Sequence, residues 1–529
     1  MSTTSQSAKI VWTKLSGTSS EDQTVAMTTS ADGSIYVTGS TSGNLDSQIN
    51  SGNFDAFLTK YNPDGTKVWT KLLGTISTDW ANAITTGADG SIYISGYTAG
   101  NLDGQINSGN YDAFLTKYNA NGTKIWTRLI GTSSNDLAFA LTTGKDGSIY
   151  VSGETRGNLD GQINSGIYDT FLTKYDPNGT KLWTKLLGTN AVDVAFASTT
   201  GIDGAIYISG RTEYNLDGQI NQGGNDAFLT KYNSDGTKAW TKLFGASGEE
   251  YARALTTSSD GSIYLSGYTG SSIEGLINSG GNDGFLSKYD SNGAKIWTTL
   301  FGSSSNDLSF AITTDNDGSI YVSGYTAGNL DGQINSGNYD AFLTKYDPNG
   351  TKLWTKLFGT SLEDYSYALA IGVDGAIFLS GFTNGNLNGQ INSGNYDNFL
   401  IKLLVVDSIL PTTVTTENFL LSIIVNRGVL GTDAVLLKDL KESFVIDNGL
   451  TTNHTIEYAG LTFDYNLIDS LITTVTRDGE FTSEFTKEIN DYLKTELNIT
   501  YSAAVALVGS ASIDGVILSV AGADGNFVG

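Results

Sequence analysis

Seven tryptophans stand at one interval: Trp12, Trp69, Trp126, Trp183, Trp240, Trp297 and Trp354, each 57 residues after the last, with no insertion between them. The Asp-Gly pairs that begin at Asp32, Asp89, Asp146, Asp203, Asp260, Asp317 and Asp374 keep the same step. A fixed period of this length means one supersecondary unit stacked many times, each unit carrying an apolar face that only a neighbour covers. Seven copies run from Trp12 to Leu410, and Pro411 stands where an eighth Trp would fall.

Within the copy Trp69 to Ile125, three runs have strand character: Ala81 to Thr86, Ser91 to Thr98 and Asp112 to Tyr118. Thr123 to Leu129 makes a fourth, and helical periodicity is absent. The turns Gly87-Ala88-Asp89-Gly90 and Asn119-Ala120-Asn121-Gly122 place a glycine where tight hairpins need a positive φ. Four strands in a meander, seven times over, predict an all-β seven-bladed β-propeller with four antiparallel strands per blade. The tryptophans fall on the fourth, outermost strand, where a repeated indole serves as packing between blades. The chain opens on a fourth-type strand, residues 9–15, and the seventh copy ends on a third-type strand, 397–404, so these two are expected to pair and close the last blade, leaving no open edge.

The unit Trp-Thr-Lys-Leu, then Asp-Gly-Ser-Ile-Tyr-Val-Ser-Gly, then Asp-Ala-Phe-Leu-Thr-Lys-Tyr-Asp-Pro-Asn-Gly-Thr-Lys resembles the SBBP repeat of bacterial seven-bladed β-propeller proteins, over about residues 9–404. The resemblance implies a propeller scaffold, often extracellular or on the cell surface. It implies no shared enzyme activity and no catalytic residues.

Composition narrows the partners. Of 529 residues, 55 are Asp or Glu and 30 are Lys or Arg, a net charge of −25 that opposes a phosphate backbone, so no nucleic-acid partner is expected. With no Cys and His454 as the one histidine, thiol chemistry, disulfides and Cys/His zinc sites are excluded. No Gly-x-Gly-x-x-Gly or Walker loop is found, and no carboxylate pair is singled out for glycoside hydrolysis, so no enzyme activity is expected. Trp80 and Arg211 are copy-specific but read as drift.

In this strand order both tight hairpins lie on one face, and the long second-to-third and fourth-to-first loops lie on the other. The long loops offer Tyr111, Tyr168, Tyr339, Tyr396, Asp79 and Asp136 as ligand-face candidates. They also offer oxygen donors suited to calcium: Asp103, Asn107, Asn110 and Asp112, with Asp160, Asn164 and Asp169 in copy three and Asp331, Asn335 and Asp340 in copy six. Turn capping by the same Asn and Asp side chains is the competing account. Copy five, with Glu274, and copy seven, with Asn388, break a strict sevenfold metal set.

Residues 405–415 are expected to link the propeller, 1–404, to an acidic α+β domain over 416–529, and residues 405–529 together carry 17 acids against 6 bases. Helices are expected over Glu417–Arg427, Asp433–Phe444, Asp464–Thr474 and Thr482–Leu497, and strands over Thr455–Tyr458, Ala503–Val508 and Gly515–Ala521. The apolar stretch Tyr501–Ala521 carries Asp514 and glycines and reads as strands, not as a transmembrane segment. Met1–Lys9 has no signal-peptide pattern, so a surface or secreted location would be reached without a cleavable leader, a cytoplasmic one staying open. The functional expectation is a non-enzymatic binding scaffold for protein or surface partners. A multivalent glycan-binding propeller and a calcium-stabilised adhesin are the alternatives.

Overall fold

The computed structural model describes residues 5–408, 455–458 and 461–464. Seven four-stranded antiparallel sheets form the blades of a β-propeller, and the compact unit spans Gln6–Val406. Blade 2 shows the pattern: Asp79–Thr86, Ile92–Thr98, Asp112–Tyr118 and Lys124–Ile130 pair in sequence order. Burial on both faces drives this: the second and third strands are buried almost throughout, while the outermost strand is partly open to solvent. The expected hairpin glycines take the left-handed conformation, with φ of 77° at both Gly90 and Gly122.

The seventh blade closes as its sequence phase demands. Ser5–Ser16 is its outermost strand, hydrogen-bonded to Asp397–Ser408, which pairs with Ile377–Thr383 and then Asp364–Ile371. Both closing strands are longer than the expected 9–15 and 397–404. Joining the first and last segments of the domain in one sheet covers the edge that Asp397–Ser408 would otherwise present.

Blades adhere through apolar clusters that straddle each junction. Tyr36, Leu58 and Leu73 of blade 1 pack with Ile92, Ile94 and Phe114 of blade 2, and Trp69 covers the cluster. Trp69 lies 6.1 Å from the Tyr36 ring of its own blade, and a Cβ on Gly122 in the next blade's turn would meet the indole at 3.0 Å. Trp12 repeats this at the closing junction, 6.0 Å from Phe378 and against the Gly65 turn. Lys117 adds a polar latch, its Nζ 5.2 Å from the Tyr93 ring centre and donating to the Pro177 carbonyl of the next blade at 3.1 Å.

Beyond the propeller, Thr455–Tyr458 is a strand as expected, paired antiparallel with Leu461–Asp464. Asp464, expected to start a helix, ends this hairpin. The first four residues of the expected linker, 405–408, instead continue the closing strand Asp397–Ser408, while 409–415, His454, the other expected helices and the strands Ala503–Val508 and Gly515–Ala521 lie outside the described residues. No helix among the described residues is long and apolar enough to cross a membrane.

If Trp12 closes the ring as the other indoles join blades, its loss should weigh as much as theirs. Truncating a core Trp to Ala costs about 3–5 kcal/mol, and half-burial lowers this to about 2–3 kcal/mol for Trp126→Ala. Trp12→Ala should fall within about 1 kcal/mol of that value in denaturant unfolding. A Trp12→Ala effect near zero would mean that the N-terminal strand is not integral to blade 7.

Candidate binding face around the central channel

The first strand of each blade faces the axis, and first strands of adjacent blades touch around it. Each carries the same irregularity: the register skips one residue between its third and fifth positions, as between Ala138 and Ala140. The skipped residue of a β-bulge is unpaired and re-aimed. Here those residues are Val25, Asn82, Phe139, Phe196, Arg253, Phe310 and Tyr367, and all seven line a central channel cavity of about 180 Å³. The fifth position is alanine in every blade, from Ala26 to Ala368, whereas no residue type fills the bulge in more than three blades. That contrast was present in the sequence as a variable position beside an invariant one, and motif-directed reading passed over it.

Toward the long-loop face the channel mouth becomes aromatic, unequally among blades. From blade 4 to blade 7 the rings run in contact: Phe196 with Tyr251 at 6.3 Å, Tyr251 stacked on Tyr268 at 4.9 Å, and Phe310 stacked on Tyr325 at 5.3 Å. The arc continues through Tyr325 with Tyr365 at 4.8 Å and Tyr367 stacked on Phe382 at 5.4 Å. Burial pushes the phenols of Tyr268, Tyr325 and Tyr367 up, so they stay neutral hydrogen-bond donors.

The sequence-predicted tyrosines join this surface as its outer row. Tyr339 meets Tyr325 edge-on at 5.3 Å, Tyr396 meets Phe382 at 5.2 Å, and the Tyr396 hydroxyl donates to Glu363 at 2.5 Å. Tyr111 meets Tyr97 edge-on at 5.3 Å, and Arg156 lies 4.1 Å over the Tyr168 ring. Their backbones also stitch blades together, since Asp136 N donates to the Tyr111 carbonyl at 2.8 Å. Trp80 and Arg211, read as drift, belong to the same face. Trp80 packs on Phe54 at 5.3 Å, and Arg211 donates to Asn225 Oδ1 at 2.9 Å and to the Tyr251 hydroxyl at 3.3 Å. Asn225 is the residue that replaces the outer-row tyrosine in blade 4, so the two departures from the repeat are one contact.

Asp79 and Asp136 are not on the open face: both are wholly buried at the start of first strands. Asp79 Oδ2 accepts from the amide of Thr75 at 2.6 Å and its hydroxyl at 2.9 Å, and Asp136 accepts the same pair from Thr132 at 2.7 and 2.9 Å. They staple the fourth-to-first loop.

The proposed calcium donors are likewise engaged with protein. Asp103 occupies a left-handed conformation (φ 52°) ahead of Gly104, the geometry of a type I′ turn, and its carboxylate receives Lys124 and Thr127 of its own outermost strand. Asp160 pairs with Lys181 and Asp331 with Lys352. Blade 7 clarifies the rule: where Lys124 and its equivalents stand elsewhere its outer strand has Ile10, and the acid has become Asn388, which donates to Thr13 at 3.0 Å. Cation and acid changed together. Asn107, Asn164 and Asn335 each donate to a second-strand carbonyl and accept from the glycine amide two residues on, and Asn110 is exposed. Asp112, Asp169 and Asp340 are buried and accept from Ser108, Ser165 and Ser336 amides. Among the described residues, no three Asp, Glu or His side chains converge.

Burial raises the carboxyls of both aspartate series, and Asp226 is pushed up to about 6. Glu154, at the channel mouth and 8% exposed, is pushed up to about 7, chiefly by desolvation and against the pull of Arg156 and Arg211. A carboxyl raised in the folded state destabilises when ionised, so stability is lost as pH rises through the folded value and recovered as pH falls toward the unfolded one. The Glu154 window therefore runs from about 7 down to 4.5. The melting temperature should be higher at about pH 5.5 than at about pH 8, and Glu154→Gln should raise it by more at the higher pH than at the lower, where only part of the penalty is present. A variant no more stable than the parent at about pH 8 would show that the Glu154 carboxylate is not held in a desolvated site.

Residues 296–331 match the family model of SBBP, the β-propeller repeat. A curated relative is the regulatory protein FlaEY of Caulobacter vibrioides, 27% identical over 456 residues, covering 74% of this chain and 47% of that protein. Another is an uncharacterized WD repeat-containing protein of Acanthamoeba polyphaga mimivirus, 22% identical over 438 residues, covering 60% of this chain and 31% of that protein. The chain thus spans about half the length of these relatives or less. Among solved structures, the Neurospora crassa Pan2 WD40 domain aligns at a TM-score of 0.42 with 9% identity, over 75% of this chain and 95% of that one.

Proposed function

We propose that this chain, a seven-bladed propeller of SBBP repeats, is a non-enzymatic binding scaffold whose long-loop face holds a protein partner. The observation that supports this most directly is the unequal aromatic arc. Packing alone would be served by the same residue in every blade, yet the mouth is tyrosine-rich in blades 5 to 7 and mixed elsewhere. Tyr, Trp and Arg are the side chains that carry most binding energy at protein interfaces, because they offer large rigid apolar area with a polar end. The same loops present one exposed isoleucine per blade, from Ile49 to Ile391, each 71–80% exposed. Seven large apolar side chains in water on one face suit contact with another macromolecule.

A regulatory relative and a WD-repeat relative accord with a platform of this kind. The reading also fits the charge, since a net −25 excludes polyanions and favours a partner with a basic or neutral contact surface.

The outer-row double variant Tyr339→Ser and Tyr396→Ser tests the proposal. The immobilised protein should retain a defined partner from its native extract, and the variant should retain it at least about tenfold less, the loss expected for truncating two interface anchors. Equal retention by parent and variant would move the contact off this face.

A further inference from the structure

Arg253 is the one cation in the bulge ring, and its surroundings are unusual for a protein so acidic. Its guanidinium carbon lies 4.3 Å from the ring centre of Phe196 and 4.9 Å from that of Phe310, the bulge residues of the blades on either side. Both neighbours are aromatic rings that engage the cation through their π-systems. The five N–H donors lie in its plane, and aromatic rings do not accept them as carboxylates do. Arg253 makes no hydrogen bond and no ion pair with any described residue, although the propeller segment 1–404 carries a net charge of −14. Arg211, nearer the rim, is by contrast tied to Asn225 and Tyr251. No carboxylate lines the channel cavity, and the phenols of Tyr268, Tyr325 and Tyr367 lie within the electrostatic reach of Arg253.

We infer that the central channel is a binding site for a single carboxylate group, received edge-on by the Arg253 guanidinium between Phe196 and Phe310, with an apolar or aromatic body against the arc. A planar two-oxygen anion matches the donor fork of arginine, and a charge-assisted bidentate pair is the strongest contact such a site can make. The channel is large enough for such a group. A cavity of about 180 Å³ has room for one carboxylate with a small apolar body beside it. Charge limits the ligand: the negative field of the propeller repels polyanions, so a singly charged group on an apolar body is the class that enters. Either a free aromatic acid or the terminal carboxylate of a peptide supplies that chemistry. The inference stands apart from the protein-scaffold reading, because a free acid would satisfy it with no macromolecule on the face.

Isothermal titration of the full chain with four probes tests it: benzoate, benzamide, a tetrapeptide ending in a free phenylalanine carboxylate, and the same peptide amidated. At least one acid should bind saturably at millimolar concentration or below, its amide should bind at least about tenfold more weakly, and Arg253→Gln should lose at least about tenfold in affinity for the acid. Benzoate as the tighter acid would assign the site to free acids, and the peptide as the tighter one to chain ends. No saturable binding of either acid, equal binding of acid and amide, or an Arg253→Gln variant that binds as the parent does would each overturn the site. The acid-against-amide comparison uses the unaltered protein, so it decides even if the variant fails to fold.

Discussion

The structure depends on burial between blades. Each sheet has two apolar faces, and neither can be covered from within its own blade: Leu58 and Leu73 of blade 1 share a cluster with Ile92 and Phe114 of blade 2. Seven such junctions must all be made, so the ring has to close, and closure falls to the strand Ser5–Ser16. Trp12 then performs for blades 7 and 1 what Trp69 performs for blades 1 and 2. The strand adds main-chain pairing as well as an indole, and pairing is what prevents Asp397–Ser408 from standing as an open edge.

The long loops are held by a second, polar set of contacts, and these explain the Asp and Asn content that a metal account would otherwise absorb. A 57-residue copy spends Asp79 on the loop before it, Asp112 on the Ser108 amide, Asn107 on two backbone groups and Asp103 on Lys124. Buried carboxylates are costly in apolar surroundings unless hydrogen-bonded, and each of these receives at least one donor. The exchange of Lys and Asp for Ile10 and Asn388 in blade 7 shows the pair acting as a unit: once the cation is absent, an acid there would have no partner, and the amide meets Thr13 instead.

Fold and site differed in how far they were legible. The period, the turn glycines and the odd phase of residues 9–15 led to the propeller and to its closure, because backbone demands recur identically in every blade. Tyr111, Tyr168, Tyr339 and Tyr396 were legible as a face because they too recur. Arg253, Phe310 and Tyr367 were not, since the sequence carries no mark of a bulge: the ladder steps from Ala252 to Ala254, and the unpaired residue left between them lines the channel. Asp79 and Asp136 misled for the converse reason, as loop acids beside an exposed segment whose side chains turn inward to the Thr75 and Thr132 amides.

The bulge also gives a physical reason why the channel could diverge while the blades did not. Its residue is outside the ladder, and alanine follows it in every blade, so exchanging Val25 for Arg253 or Phe310 disturbs neither pairing nor the clusters between blades. A substitution at Leu58 or Phe114, by contrast, would be felt across a junction repacked to native density. Sevenfold repetition therefore constrains the shell and releases the axis. Ring-to-ring differences at the mouth, where Tyr251 stacks on Tyr268 while Gln23 opposes Ser40 in blade 1, fall at positions whose change leaves the scaffold intact, and a single asymmetric site can be built there without weakening the ring around it.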